Sequence, residues 1–261
     1  MAPHLKYHKL QDKHVLIIGG SSGIGYAIAE ASIESGAVVT ISSSRQSKLD
    51  VSVSSLQSSY PGARITGIAA DLSQPTVDEV LDNVFKTATA RSGQINHVVY
   101  TAADPLALGP LEETTTEGIL KAAHMRMLAP IMLGKTAPIY LERTPQSSIT
   151  LTTGSTAERP DKGWAVITYF AAGLHGLTKA LATDLAPLRV NCVAPGFVDT
   201  ALWDAMGEET KRKLIDKFGK EMPLGRVGKV EDVAEAYLWL MKDANVTGTV
   251  ASTNSGQFLK A

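Results

Sequence analysis

Short apolar runs alternate with longer amphipathic segments along the whole chain. Residues 14–19, 37–42, 64–69, 96–101, 148–153, 189–194 and 249–252 are brief, largely β-branched and flanked by turn residues, which predicts seven strands. Between them, residues 24–35, 77–91, 113–141, 165–185 and 230–241 carry apolar side chains at helical spacing. This rhythm predicts an α/β fold: a Rossmann-like, doubly wound, seven-stranded parallel sheet with right-handed crossovers placing helices on both faces. The serine-rich residues 42–59 lie between two strands and are expected to hold a surface loop and a short helix rather than a linker. No internal repeat or second domain is visible, and 261 residues fit one domain of this class.

Composition narrows the function. The formal charge of -1 leaves no basic field for a polyanion, so no nucleic-acid partner is expected. With 44% hydrophobic and 20% charged residues, the chain has material for a sizeable core. Cys192 is the only cysteine, which excludes an internal disulfide and a multi-cysteine metal site and suits a reducing compartment. The six histidines lack ligand spacing, so no metal is expected. The N-terminus is polar and no run reaches the ~20 apolar residues of a membrane span, so a cytoplasmic location without a membrane partner is the expectation.

The first strand runs directly into Gly19-Gly20-Ser21-Ser22-Gly23-Ile24-Gly25, which opens a helix. Glycine lets the backbone approach a pyrophosphate, and the helix N-terminus offers free N–H groups and a positive dipole end. A glycine-rich turn without a ligand is the alternative on the glycines alone. The strand-turn-helix context at the start of a βαβ unit favours the nucleotide.

Four further stretches join this turn: Asp71-Leu72, Tyr100-Thr101-Ala102-Ala103, Arg189-Val190-Asn191, and Pro195-Gly196-Phe197-Val198-Asp199-Thr200. With them the chain resembles the short-chain dehydrogenase/reductase family over essentially its whole length. The resemblance implies that Gly19, Ser21, Ser22, Gly23, Ile24 and Gly25 cradle a dinucleotide and that Asp71 meets the adenine amino group, with Leu72 beside it. It implies that Ala102 and Ala103 pack under the adenosine ribose, and that Val198 and Thr200, after Pro195 and Gly196, hold the nicotinamide carboxamide. At the end of the second strand an acid would bond the 2′-hydroxyl of NAD, but the chain reads Ser42-Ser43-Ser44-Arg45. Arg45 suits a 2′-phosphate, and Ser43 and Ser44 add hydroxyl donors, so NADP(H) is the expected cofactor. The alternative is that Arg45 is a solvated surface side chain.

The family usually acts through Asn, Ser, Tyr and Lys, the last two spaced Tyr-x-x-x-Lys. Counting from His175-Gly176-Leu177-Thr178 puts Ile167 at the tyrosine position and Ala171 at the lysine position. The same register puts Gly154 at the serine and Arg126 at the asparagine. Tyr169 is two residues off, a turn of about 200° on a helix, and has Gly173 four residues on. Ser155 lies one residue past the serine position and is a candidate hydroxyl after a local shift. A positioned general acid contributes ~10²- to 10⁴-fold, so reducing an ordinary ketone without one forfeits roughly 3 to 5 kcal/mol. An iminium ion needs hydride but no proton on oxygen, only a shaped pocket and a nearby anion.

Glu158-Arg159-Pro160-Asp161-Lys162-Gly163-Trp164 follows the fifth strand on the ligand-binding side of the sheet. Asp161 offers a carboxylate, and Trp164 offers an apolar face that also attracts cations. The alternative is a turn aspartate capping the next helix, with Trp164 as packing. Pro-Asp-x-Gly-Trp together with Arg126 is similar to the bifunctional fungal reductase/Diels-Alderases of the malbrancheamide and paraherquamide alkaloid pathways. That resemblance implies an NADPH-dependent reduction of a cyclic iminium followed by an intramolecular [4+2] cycloaddition. Asp161 would act on the cation, Arg126 would orient the nicotinamide end and Trp164 would pack an apolar, cationic small molecule. Residues 201–219, with Leu202, Trp203, Met206 and Phe218, read as an amphipathic lid or a plain surface helix. Small and apolar residues on several faces of 165–185 suit a homodimer or homotetramer. Ketone or alcohol oxidoreduction through Ser155 or Tyr169, and nucleotide binding without turnover, remain the competing functions.

Overall fold

The structure, a computed structural model, describes residues 6–259. The strands are β1 (His14–Ile18), β2 (Val38–Ser43), β3 (Ile65–Ala69), β4 (Ile95–Tyr100), β5 (Ser148–Thr152), β6 (Arg189–Pro195) and β7 (Val250–Thr253). They form one seven-stranded sheet in the order β3-β2-β1-β4-β5-β6-β7, with every pairing parallel. The chain first builds outward from β1 to β3, then crosses back to β4 and builds the other half. This reversal opens a crevice at the carboxyl ends of β1 and β4.

β1 is buried along its whole length, and alternate residues enter two different cores. Leu16 and Ile18 join Val98 and Tyr100 under α3 (Val77–Ser92), α5 (Ala129–Thr136) and α6 (Ala165–Asp184). Val15 and Ile17 join Val39 and Ile41 under α1 (Gly23–Glu34), α2 (Gln46–Ser59) and α8 (Val230–Lys242). The remaining helices are α4 (Thr116–Ala123) and α7 (Glu208–Glu221). Among the described residues, no helix is long and apolar enough to cross a membrane, and no group of three or more His, Cys, Asp and Glu stands together to hold a metal ion.

Two segments differ from the sequence expectation. Residues 113–141 are not one helix: α4 and α5 are separated by a π turn at His124–Leu128, with 3-10 turns at Leu111–Glu113 and Ala137–Ile139. Pro130 sits in the first turn of α5, has no N–H to give, and would press its ring on the Arg126 carbonyl four residues earlier. Widening the preceding turn relieves that conflict. In the serine-rich segment, the short helix is instead the 14-residue α2. Its buried stripe is only Leu49, Ser52 and Leu56, too sparse to stand out among serines, and Ser52 and Ser58 turn their hydroxyls back onto the Lys48 and Ser54 carbonyls.

The turn after β1 depends on glycine. Gly19 has φ +98°, and a Cβ there would stand 2.5 Å from the Ala102 backbone nitrogen. Gly62 also has positive φ, +87°, but open space around it. Gly62→Ala therefore pays backbone strain alone, whereas Gly19→Ala adds overpacking against β4. Urea denaturation is expected to show Gly19→Ala about 1–3 kcal/mol less stable than Gly62→Ala.

Candidate cofactor and substrate cleft

The crevice widens into a cleft of about 670 Å³. The ends of β1, β2, β4, β5 and β6 form its floor, and the segments after β4, β5 and β6 form its walls. The expected cofactor and site residues line it: Gly19, Ser21, Ser22, Gly23, Ile24, Gly25, Ser43, Ser44, Arg45, Asp71, Leu72, Ala102, Ala103, Pro195, Gly196, Val198 and Thr200, and also Arg126, Asp161 and Trp164; Gly20, Tyr169 and Met206 do not.

At one end the turn is held from below. The Gly19 and Gly20 amides donate to the Ser42 carbonyl at 2.9 and 3.1 Å. Thr101 Oγ1 donates to the Gly19 carbonyl at 3.2 Å, and a Cβ on Gly25 would come within 2.2 Å of that carbonyl oxygen. Backbone thus meets backbone where a side chain would fill the space. Ser22 precedes α1 but makes no side-chain capping bond, which leaves the first amides of the helix available to an anion. These features fit a dinucleotide pyrophosphate.

Farther out, Ser21 Oγ donates to Ser43 Oγ at 2.8 Å, tying the turn to the end of β2. Arg45 is exposed and precedes α2. Lys48, one turn on, also lines the cleft and was not singled out from the sequence. Its signal was its place in the first turn of the helix that Arg45 precedes. Neither cation forms an ion pair among the described residues. Asp71 accepts from the Ser73 hydroxyl and amide and from Gln74, and the Ser73 bonds chiefly hold its carboxyl below the usual range.

At the other end, the positions where the sequence resemblance would put a tyrosine and a lysine hold apolar residues. Ile167 and Ala171 face the cleft from α6, and Gly154 and Ser155 face it from the end of β5. Tyr169 does not line the cleft; it is 72% exposed, with its ring edge against Phe170. Tyr100 lines the cleft but donates its hydroxyl to the Met125 carbonyl at 3.0 Å, and burial pushes its pKa up, away from useful acidity.

Arg126 projects from the π turn. Its Nη2 donates to the Asp104 backbone carbonyl at 2.6 Å and stands 3.0 Å from the Asp104 carboxylate, the two side chains being 14% and 22% exposed. Burial works against the guanidinium charge, and the carboxylate opposes that cost. Arg126 Nε and Asp104 Oδ1 keep no aligned hydrogen bond among the described residues, so the pair is a charge contact with valences to spare. Asp104 was missed from the sequence because its partner depends on the extra width of the π turn.

Opposite lies an aromatic wall. Phe197 stacks on Trp203 at 4.3 Å and on Phe218 at 4.8 Å between ring centroids, and Trp164 stands 6.2 Å from Trp203. Phe218 comes from α7, whose Lys211 bridges Asp199 and Asp204 at 2.9 and 2.8 Å and so fastens that helix to the Pro195–Thr200 turn. The two wall loops are themselves joined, Gly109 donating its amide to the Gly163 carbonyl at 3.0 Å. Asp161 is exposed at the rim. Its carboxylate does not cap α6 and makes no ion pair among the described residues.

A family profile described as an SDR-like Rossmann domain matches residues 6–260. The chain is 43% identical to the short-chain dehydrogenase/reductase malC of Malbranchea aurantiaca over 256 residues, 96% of each chain. A solved structure, the MalC reductase/Diels-Alderase from Malbranchea aurantiaca, superposes with a TM-score of 0.92 at 40% identity, covering 98% of this chain and 100% of that one. An NADPH-bound short-chain oxidoreductase from Pseudomonas aeruginosa PAO1, described as containing an atypical catalytic center, gives 0.86 at 25% identity over 94% and 98%.

Removing one member of this half-buried pair strands the other. Asp104→Ala is expected to lower stability by about 1–3 kcal/mol, and Asp104→Leu combined with Arg126→Leu by clearly less than the sum of its two single changes, as read in a denaturant double-mutant cycle.

Proposed function

The chain belongs to the short-chain dehydrogenase/reductase family, and from that premise we propose that it is an NADPH-dependent reductase of a cyclic iminium ion. In the same reading it then shapes an intramolecular [4+2] cycloaddition of the reduced product, a step of fungal indole alkaloid biosynthesis. Relatives in the family bind NAD(P)H and act on small molecules. NADPH, when bound, supplies the hydride.

One observation carries the reading: Ile167 and Ala171 line the cleft where a tyrosine and a lysine would deliver a proton. An oxygen gaining hydride there would lack its acid, whereas a carbon already bonded to cationic nitrogen needs none. The chain's residues divide the rest of the work. Arg45, Lys48, Ser43 and Ser44 suit the 2′-phosphate, the charge pattern that favours NADPH over NADH. Arg126, held by Asp104, orients the nicotinamide end. Asp161 offers an uncommitted negative charge to the iminium, and Trp164 with Trp203, Phe197 and Phe218 gives it an apolar, cation-attracting wall that limits water. Residues 201–219 act as the lid: Leu202, Trp203 and Phe218 line the cleft, while Met206 stays outside. The exposed side of α6, with Tyr169, Ala172, Gly173 and Gly176, is the face for a homodimer or homotetramer.

The test is NADPH oxidation with N-methyl-3,4-dihydroisoquinolinium. Turnover of this cation, with acetophenone reduced far more slowly, is the expected result; equal turnover of the ketone overturns the reading. Asp161→Asn is expected to lower kcat/KM for the cation by about 100-fold while leaving the NADPH dissociation constant unchanged. Tyr169→Phe is expected to leave the rate unchanged, since that ring lies outside the cleft.

A second set of measurements addresses the cofactor. Arg45→Ala and Lys48→Ala together are expected to weaken NADPH binding about 100-fold and NADH binding little, read by nucleotide fluorescence.

A further inference from the structure

Gln257 lines the cleft without serving the cradle or the proposed reduction. It begins the 3-10 turn Gln257–Leu259 that follows β7. Its backbone is firmly held. Arg159, from the Asp161 loop, donates to the Gln257 carbonyl, and the Gln257 amide donates to the Asn254 carbonyl at 2.9 Å. The Leu224 amide, just past α7, donates to the Ser255 carbonyl at 3.3 Å, so the segment is strung between the Asp161 loop and the stretch that follows α7.

The side chain is treated differently. Its Oε1 is enclosed yet has no hydrogen-bond partner among the described residues. That oxygen lies 3.2 Å from where a Cβ on Gly196 would stand, beside the turn that continues to Val198 and Thr200. An enclosed amide oxygen without a donor costs about 1–3 kcal/mol. Arg159, the neighbouring guanidinium, directs its Nη1 to the backbone carbonyl and makes no hydrogen bond to this oxygen. The last torsion of a glutamine is broad, so the oxygen can swing toward the cleft while the stem keeps its rotamer. Turned that way, the oxygen is an acceptor only, and its complement is a neutral N–H donor such as that of a secondary amide.

We propose that Gln257 is a substrate-recognition residue whose carboxamide oxygen accepts a hydrogen bond from the N–H of a secondary amide on the substrate. The site then selects a cation that also carries such an amide. This rests on the reading that the cleft takes an organic cation beside the nicotinamide.

Two probes test it: N-methyl-3,4-dihydroisoquinolinium bearing an N-methylcarboxamide, and the same cation bearing an N,N-dimethylcarboxamide. Trp164 and Trp203 line the cleft, so quenching of their emission in the presence of NADP⁺ reads occupancy with no hydride transfer required. The wild type is expected to bind the secondary amide roughly tenfold tighter. Gln257→Met is expected to bind both probes equally with NADPH affinity unchanged, and Gln257→Glu, which keeps an acceptor, to retain the preference. The inference is overturned by a preference that survives Gln257→Met or disappears in Gln257→Glu, by none in the wild type, or by quenching from neither probe. Loss of NADPH affinity in both variants would move Gln257 to the cofactor site and overturn it equally. A protein that binds the probes with this pattern but oxidises no NADPH would refute the reductase reading alone.

Discussion

Everything at the functional end hangs on how closely the turn after β1 approaches β4. Gly19 and Gly25 leave no room for side chains between that turn and Thr101, and the Thr101 hydroxyl closes the gap with a bond to the Gly19 carbonyl. The approach fixes where α1 starts, and therefore where its free amides point. It also sets the distance from the cradle to the end of β6, since Gly23 comes against the Thr200 side chain. The rest of the cleft is built outward from this contact.

The chemistry then depends on what is absent from α6 and what surrounds it. A helix that shows the cleft Ile167 and Ala171 offers shape and dryness but no proton. Charge stands elsewhere in the lining: a cation held by Asp104 in the π turn, and the exposed Asp161 carboxylate, which makes no ion pair among the described residues. Such a layout handles a reactant that brings its own positive charge more readily than one that must be activated by an acid. The aromatic rings of Trp164, Phe197, Trp203 and Phe218 make the rest of that lining apolar.

Most of the architecture was legible along the chain because parallel strands are buried on both faces and read as unbroken β-branched runs. All seven appeared where such runs occur. The helical layer was harder. In α2 the buried stripe is two leucines and a serine, and helix propensity had to be completed by tertiary contact. In 113–141 the apolar periodicity persisted through the break, which only the steric demand of Pro130 reveals. Among site residues, those in the glycine turn and the strand ends were visible because backbone geometry dictates their type. Asp104 and Gln257 carried no local signal: each reaches the cleft through a partner distant in sequence, Arg126 in one case and Arg159 in the other.

The floor of the cleft is made by strand ends and its walls by loops, and the two behave differently under change. Strand ends are pinned by the sheet, so their variation is confined. The segments after β4 and β5 are stitched to each other through Gly109 and Gly163, and at Gly163 a Cβ would meet the Gly109 carbonyl at 3.3 Å. Because the stitch runs from backbone to backbone, it tolerates new side chains but not a new path: if either loop shifts, its partner has to shift with it for the bond to survive, so the two move as a single hinged flap on that side of the cleft.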